Sequence, residues 1–375
     1  MILAKAPEKY WNEPGILAKG GEVVASIGKR AWILAGKTAL SVAGETLLKS
    51  LDGSGIVYEI QVYEGYCTLE DIDILAAAVQ ASASDVLIGI GGGKILDTIK
   101  AVGDKLSLPV VSVPTIAATC AAWSALSVIY TRQGTQTGGI VLERSPKAVL
   151  SDTAILAAAP PRYIAAGIAD TLVKWYEAAP NVGKGPDSIH ARAGLATSKL
   201  ALDILEELSI DAYLASGCGE ITDAITEVTN AIIFLAGQAG SLSSGRQQAY
   251  IAHAVNNSLT KQHETHIRLH GEKVAFGLVV QLFLEGYSQT KIDTVARLLH
   301  ALGQPLTLRG LGFKDSFGDK AALIANGVSL NEEAAAALPF KVNAELLEQA
   351  ILNTDLTGQR IAEQEQNASR QVQAV

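Results

Sequence analysis

The sequence predicts an α/β domain built on a parallel sheet over residues 1–158, followed by an all-helical domain over residues 159–375. Three observations predict this. Short apolar runs alternate with helical patterns through the first third of the chain; one such run ends on three glycines; and strand signals vanish after Pro160-Pro161. At 375 residues the chain exceeds the size at which single cores stop growing, so two domains are the natural division.

In order, RAWILAG (30–36) and IVYEIQVYEG (56–65) read as strands flanking a helix near 38–51. LEDIDILAAAVQASA (69–83) has helical spacing and leads into the apolar strand DVLIGI, which ends on glycines. ILDTIKAVGDKL places Ile95, Ile99, Val102 and Leu106 on one helical face, and LPVVSVPT follows as another strand. SVIYT, GGIVLE and KAVLSD read as short strands around glycine-rich turns. Beyond residue 160, the segments at 161–178, 187–208, 221–238 and 243–260 all carry an apolar stripe at helical spacing. The Gln-rich end EQEQNASRQVQAV reads as a frayed tail.

Composition narrows the function classes. Hydrophobic residues make up 49% and charged residues 18%, which excludes a disordered chain. A net charge of −8 without a basic stripe argues against nucleic acid or an anionic membrane as partner. No stretch is long and apolar enough to span a bilayer, and Lys5, Glu8 and Lys9 stand where a signal peptide needs an apolar core, so a cytoplasmic location is expected. Three cysteines, Cys67, Cys120 and Cys218, show neither metal spacing nor an even disulfide framework. A chain this apolar is also expected to cover surface in a homo-oligomer.

Two groups of residues carry chemistry. Gly91-Gly92-Gly93-Lys94 sits where a strand hands over to a helix, so the backbone can approach a phosphate at a helix N-terminus and Lys94 can add charge. A P-loop is excluded, because Ile88 and Ile95 occupy the places of its first glycine and its hydroxyl residue. The second group is histidine. Four of six, His253, His263, His266 and His270, fall between 253 and 270. His253 lies in an apolar helical run, as does Asp170 in GIADTLVKWYEA, and an Asp there is rarely buried unless paired or coordinating. Two His and one carboxylate would leave a metal with an open position, which is the arrangement of a catalytic site.

GIGGGKILDTIKA, LPVVSVPTIAAT, LSVIYT, AGIADTLVKWYEA, AHAVNNSLT, HGEKVAFG and PFKVNAELLEQAIL, in that order, resemble the iron-containing alcohol dehydrogenase superfamily and its glycerol dehydrogenase-like branch. The resemblance implies a Rossmann-like dinucleotide-binding domain, an all-α metal-binding domain of dehydroquinate synthase-like architecture, and a metal-dependent NAD(P)-linked dehydrogenase acting on a small molecule. It implies Zn2+, or alternatively Fe2+, on Asp170, His253 and His270. It places Gly91, Gly92, Gly93, Lys94 and Asp97, then Thr115 and Ala118, in the cofactor site, with Ser124, Leu126 and Tyr130 at its nicotinamide end. His266 joins as a substrate-side or proton-relay candidate.

Two departures from the branch bear on specificity. Where glycerol dehydrogenases read STDAP this chain has Ala118-Thr119-Cys120-Ala121-Ala122, and a thiol cannot accept a polyol's hydrogen bonds as a carboxylate does. TCAAW resembles the hydroxycarboxylate dehydrogenase members, so the expected substrate is a small 2-oxo or 2-hydroxy acid, with glycerol second. A dehydroquinate synthase-like lyase is the rival of another reaction class. At the end of the first strand, Gly36-Lys37 replaces the acidic residue that normally holds the ribose of NAD, which leaves NAD and NADP both open.

Overall fold

A computed structural model describes residues 4–182, 189–243 and 248–373. Six parallel strands form the main sheet: β1 (Lys9–Asn12), β2 (Arg30–Ala35), β3 (Val57–Val62), β4 (Val86–Gly91), β5 (Val110–Pro114) and, after a hairpin of β6 (Leu126–Tyr130) with β7 (Gln136–Val141), β8 (Ala148–Ser151). The sheet order is β1-β8-β5-β4-β2-β3. Of the strands expected between 127 and 152, two pair only with each other, antiparallel, and the third inserts in the sheet between β5 and β1. The short strand β1 carries no sequence pattern of its own and is held by pairing Lys9–Asn12 against Ala148–Ser151.

The helices of the first part are α1 (Gly20–Ala25), α2 (Lys37–Gly53), α3 (Leu69–Ser82) and α4 (Gly93–Leu106). Helices alone follow β8 among the described residues: α5 (Thr153–Ala158), α6 (Pro161–Asn181), α7 (Ile189–Ala215), α8 (Asp223–Asn230), a π-helical turn at Ala231–Leu235, α9 (Ala236–Ser243), α10 (Ile251–Leu259) and α11 (His270–Leu284). Five more complete the chain: α12 (Gln289–Ala301), α13 (Leu308–Leu311), α14 (Phe317–Gly327), α15 (Glu332–Ala337) and α16 (Ala344–Gln373). The α/β part followed by a helical part is therefore the fold. None of the described helices is long and apolar enough to cross a membrane.

Two compact units result, residues 1–168 with 189–244, and residues 169–188 with 245–375. The change near 158 marks where strands give way to helices; it is not where the compact units part. The reason lies in the packing of α8 on β1: Asn12 Nδ2 donates to Thr226 O, Thr229 Oγ1 and Asn230 Oδ1, and Tyr10 Oη donates to Asn230 Oδ1, so these helices belong with the sheet. The second unit has its own core, in which Ile251, Val255, Phe276, Val280, Phe313, Ile324 and Ile351 are buried together.

Two expectations at element ends need correction. The Gln-rich tail is helical as far as Gln373, continuing α16, because Gln and Glu are good helix formers and Arg297 binds both Gln364 and Glu365. The helix expected from 243 begins only at Ile251 among the described residues; 244–247 lie outside them, as do 187 and 188 at the start of the helix expected at 187–208.

Candidate metal centre and cofactor turn

The sheet reverses direction of growth at β2. From β2 the chain moves outward to β3, then returns past β2 to lay down β4 and β5. In open parallel sheets, ligands bind beyond the strand ends at such a switch point. Here those ends are Gly36 after β2 and Gly91–Gly93 after β4, joined by a hydrogen bond from Gly36 N–H to Ile90 O at 3.1 Å. Both following helices, α2 and α4, are capped by a glycine with no side-chain bond to the first-turn amides, so those amides face outward without a built-in acceptor. A side chain at Gly92 would put its Cβ 2.7 Å from Ile116, whereas at Gly93 nothing lies closer than 3.6 Å. An added Cβ at Gly93 would therefore make only ordinary contacts within the fold.

The other expected cofactor residues sit around this turn in the first unit. Thr115 N–H donates to Gly91 O, and the Thr119–Ala121 turn lies against Gly93. Ala118 and Ser124 are partly buried in the same loop, and Cys120, also partly buried, opens its 3-10 turn, with Cys120 O accepting from Trp123 and Ser124 N–H. Lys94 does not project freely: its Nζ lies 3.7 Å from the centre of the Tyr66 ring, which stacks 5.5 Å from Tyr130. Leu126 is exposed at the start of β6, and Lys37 is exposed at the start of α2.

Asp97 has partners of its own within the protein. It is buried inside the fold: Oδ1 pairs with Lys100 Nζ at 3.0 Å and Oδ2 accepts from Val128 N–H at 3.1 Å. Lys100 in turn donates to Ser124 O and Leu126 O. The pair ties α4 to the hairpin, so Asp97 holds the loop that carries Ser124 and Leu126 and has both carboxylate oxygens engaged by the protein.

In the second unit the structure brings Asp170, His253 and His270 together. Their ligand atoms all lie within 4.8 Å of one another. Asp170 occupies the middle of α6 and is 2% exposed, among Ile168, Ala169, Leu172 and Val173. His253 is in the first turn of α10. His270 opens α11, whose start is fixed by Glu272 Oε2 accepting Leu269 N–H at 2.9 Å. Two backbones must come close for this: a Cβ on Gly277 of α11 would lie 2.5 Å from Ala252 O, the residue before His253.

The donor atoms suit a cation better than a proton. His253 Nε2 and His270 Nε2 stand 3.4 Å and 3.3 Å from Asp170 Oδ1, close enough for charge attraction. Yet that buried oxygen has no hydrogen bond of acceptable geometry. An orphaned buried carboxylate oxygen is costly unless something else meets it. Burial would by itself raise the Asp170 carboxyl, but Lys174, 3.9 Å away, and the two imidazoles outweigh it and hold it well below the usual carboxylate range. Burial likewise opposes charge on His253, but Glu177 overrides it and raises the imidazole to about 9; burial keeps His270 below its ordinary value. The set of one carboxylate and two imidazoles fits zinc or iron(II) with room for a further ligand.

His266 is not in the three-residue cluster, and its Nε2 meets Thr260 O at 3.0 Å. Glu177 escaped the sequence reading although its oxygens contact His253 twice, at the backbone N–H (3.0 Å) and at Nδ1 (2.6 Å). The available signal was a second carboxylate seven residues after Asp170, on the same face of an otherwise apolar helix.

Comparison with known proteins identifies the family. The sequence profile of the iron-containing alcohol dehydrogenases matches residues 7–153. A glycerol dehydrogenase of Escherichia coli O6:H1 is 35% identical over 369 residues, covering 96% of this chain and 99% of that protein. This chain belongs to the iron-containing alcohol dehydrogenase family. Hydroxycarboxylate dehydrogenase A of Escherichia coli K12 is 36% identical over 300 residues, with 79% and 80% of the two chains covered. The crystal structure of a probable glycerol dehydrogenase from Sinorhizobium meliloti 1021 superposes with a TM-score of 0.84 at 30% identity, covering 95% of this chain and 99% of the other. As a member of the family the chain is a metal-dependent oxidoreductase of alcohol dehydrogenase type with an NAD-type cofactor.

Proposed function

We propose that this family member is a glycerol-type polyol dehydrogenase, interconverting a small vicinal polyol and its hydroxyketone, with one divalent metal on Asp170, His253 and His270. The observation that carries the metal is the buried Asp170 oxygen, left without a hydrogen bond between two imidazole nitrogens. A bound metal would supply Lewis acidity to the substrate oxygen, and a bound nicotinamide would supply the hydride chemistry. The chain's own residues do the positioning. Asp170 would neutralise the cation in a buried setting, His253 and His270 would complete its protein ligands, and the Gly91–Lys94 turn with Gly36, Thr115 and Ala118 would hold the dinucleotide. Ser124, Leu126 and Tyr130 border its nicotinamide end.

The substrate order is the reverse of that drawn from Cys120 alone. The relative named for glycerol aligns over 96% of this chain, that named for hydroxycarboxylates over 79%, and the structural match is to a probable glycerol enzyme. A second reading, reduction of small 2-oxo acids, is favoured by one observation: Cys120 supplies a thiol where a polyol-binding carboxylate is expected, removing a charge that would repel a substrate carboxylate. A panel of polyols and 2-oxo acids, run with NAD(H) and NADP(H) and with zinc or iron, decides between them. Glycerol oxidation above every 2-oxo acid reduction supports the proposal, and the reverse overturns it. Net change in nicotinamide absorbance also separates a dehydrogenase from a lyase that regenerates its cofactor. Lys37, exposed and without an acidic neighbour at the end of β2, supports tolerance of a 2′-phosphate, so NADP belongs in the proposal beside NAD. Homo-oligomerisation and a cytoplasmic location complete it, the former supported by Val57, Ile60 and Val62 exposed along β3.

A further inference from the structure

We infer that Glu177 is a positioning residue that holds His253 in the tautomer whose free Nε2 faces Asp170 and a cation there. The inference rests on the reading of Asp170, His253 and His270 as a metal site. Glu177 is 2% exposed and uses its two oxygens on one residue. Oε1 accepts the His253 backbone N–H at 3.0 Å, and Oε2 lies 2.6 Å from Nδ1. A carboxylate can only accept, so Nδ1 carries the hydrogen and the lone pair of the neutral ring is left at Nε2. That nitrogen is the one turned towards Asp170 Oδ1, at 3.4 Å.

The two contacts act together. The first fixes where α10 starts, because its cap residue Tyr250 offers no side-chain acceptor. The second fixes the rotation of the ring about its own helix. One turn beyond Glu177, Asn181 bonds Ala249 in both directions, N–H to Oδ1 at 3.2 Å and Nδ2 to O at 3.1 Å, and Nδ2 also donates to Glu177 O at 2.7 Å. The end of α6 is therefore latched to the start of α10, so the distance between Asp170 and His253 is set by two elements locked at neighbouring turns. A helix-capping role alone would need only Oε1. The contact with Nδ1 is the part that serves the metal.

Glu177→Gln separates the two roles. The amide keeps an oxygen for the His253 N–H but presents an NH2 group to Nδ1, which must then accept, moving the hydrogen of the neutral ring to Nε2. Metal-free wild type and variant are compared by thermal melting and by zinc affinity in competition with a chelator. The expected result is a melting point close to wild type and zinc binding weakened by about 10–100-fold. Glu177→Asp keeps acceptor-only chemistry on a shorter arm and is expected to bind zinc more tightly than Glu177→Gln. Wild-type affinity in Glu177→Gln overturns the inference, as does Glu177→Asp binding no better than Glu177→Gln; the latter comparison stands even if Glu177→Gln melts early. A wild-type protein that takes up no metal would instead sink the metal reading itself.

Discussion

A close backbone approach beside the two metal histidines gives the sharpest prediction. Replacing Gly277 by Ala puts a Cβ 2.5 Å from Ala252 O, 2.9 Å from its Cα and 3.0 Å from its carbonyl carbon. All three are backbone atoms, so no side-chain rotation relieves the clash. To restore ordinary contact, α10 and α11 must part by about 0.9 Å, an overpacking strain of about 1–3 kcal/mol. His253 follows Ala252 on α10, and His270 lies two turns before Gly277 on the same face of α11. Their nitrogens stand 3.4 Å and 3.3 Å from the Asp170 oxygen, whereas metal–ligand distances tolerate only about 0.2 Å. Gly277→Ala should therefore lower the melting temperature of the metal-free protein and weaken zinc binding at least tenfold. Gly318→Ala is the control: nothing lies within 4 Å of its added Cβ in α14, so stability should hold or rise and zinc affinity should not change. Wild-type zinc affinity in Gly277→Ala would refute the argument that this contact sets the spacing of the two imidazoles.

Further predictions follow from the same distances. Gly93→Ala has space in the fold, with no atom nearer than 3.6 Å, so melting should be unchanged or raised while dinucleotide binding, read by fluorescence titration, weakens at least tenfold; equal binding would reduce this glycine to a structural feature. Glu285 is raised by burial to about 7. Its contribution to stability is full below the ordinary Glu range and is lost as pH rises through about 7, a loss of about 1–2 kcal/mol once solvent screening is allowed for. Glu285→Gln should reduce the fall in melting temperature between pH 5 and 8, and an unchanged slope would contradict the assignment. Cys67 is buried and its thiol is pushed up to about 12, whereas Cys218 is exposed. Alkylation of the folded protein followed by mass mapping should mark Cys218 and spare Cys67; the opposite pattern would contradict the packing. In Cys120→Asp, polyol turnover should rise relative to 2-oxo acid turnover, and an unchanged ratio would show that this position does not govern specificity.

Local pattern made much of this architecture legible. The strands before residue 115 are continuous apolar runs because both faces of a parallel sheet are covered, and the glycine turn announces the start of α4 by composition alone. Asp170 and His253 were legible because polar side chains inside apolar helical stripes demand partners. What stayed hidden depends on distant pairing. Strand β1 exists only through β8, and the bonds of Asn12 and Tyr10 to the 226–230 helix, far along the chain, decide that these helices join the sheet unit. Asp97 lies one helical turn beyond the glycine turn, but its partner Lys100 and the hairpin amide at Val128 could not be read from spacing. Glu177 was hidden for the same reason, since its role lies in a residue 76 positions away.

The central claim is that Asp170, His253 and His270 hold one divalent metal. Zinc titration of chelator-treated protein, with metal content per chain measured after desalting, tests it most directly. The account predicts one tightly held ion per chain in the wild type and its loss in Asp170→Ala and His270→Ala. Full retention of the ion in both variants, or no retained ion in the wild type, would contradict it.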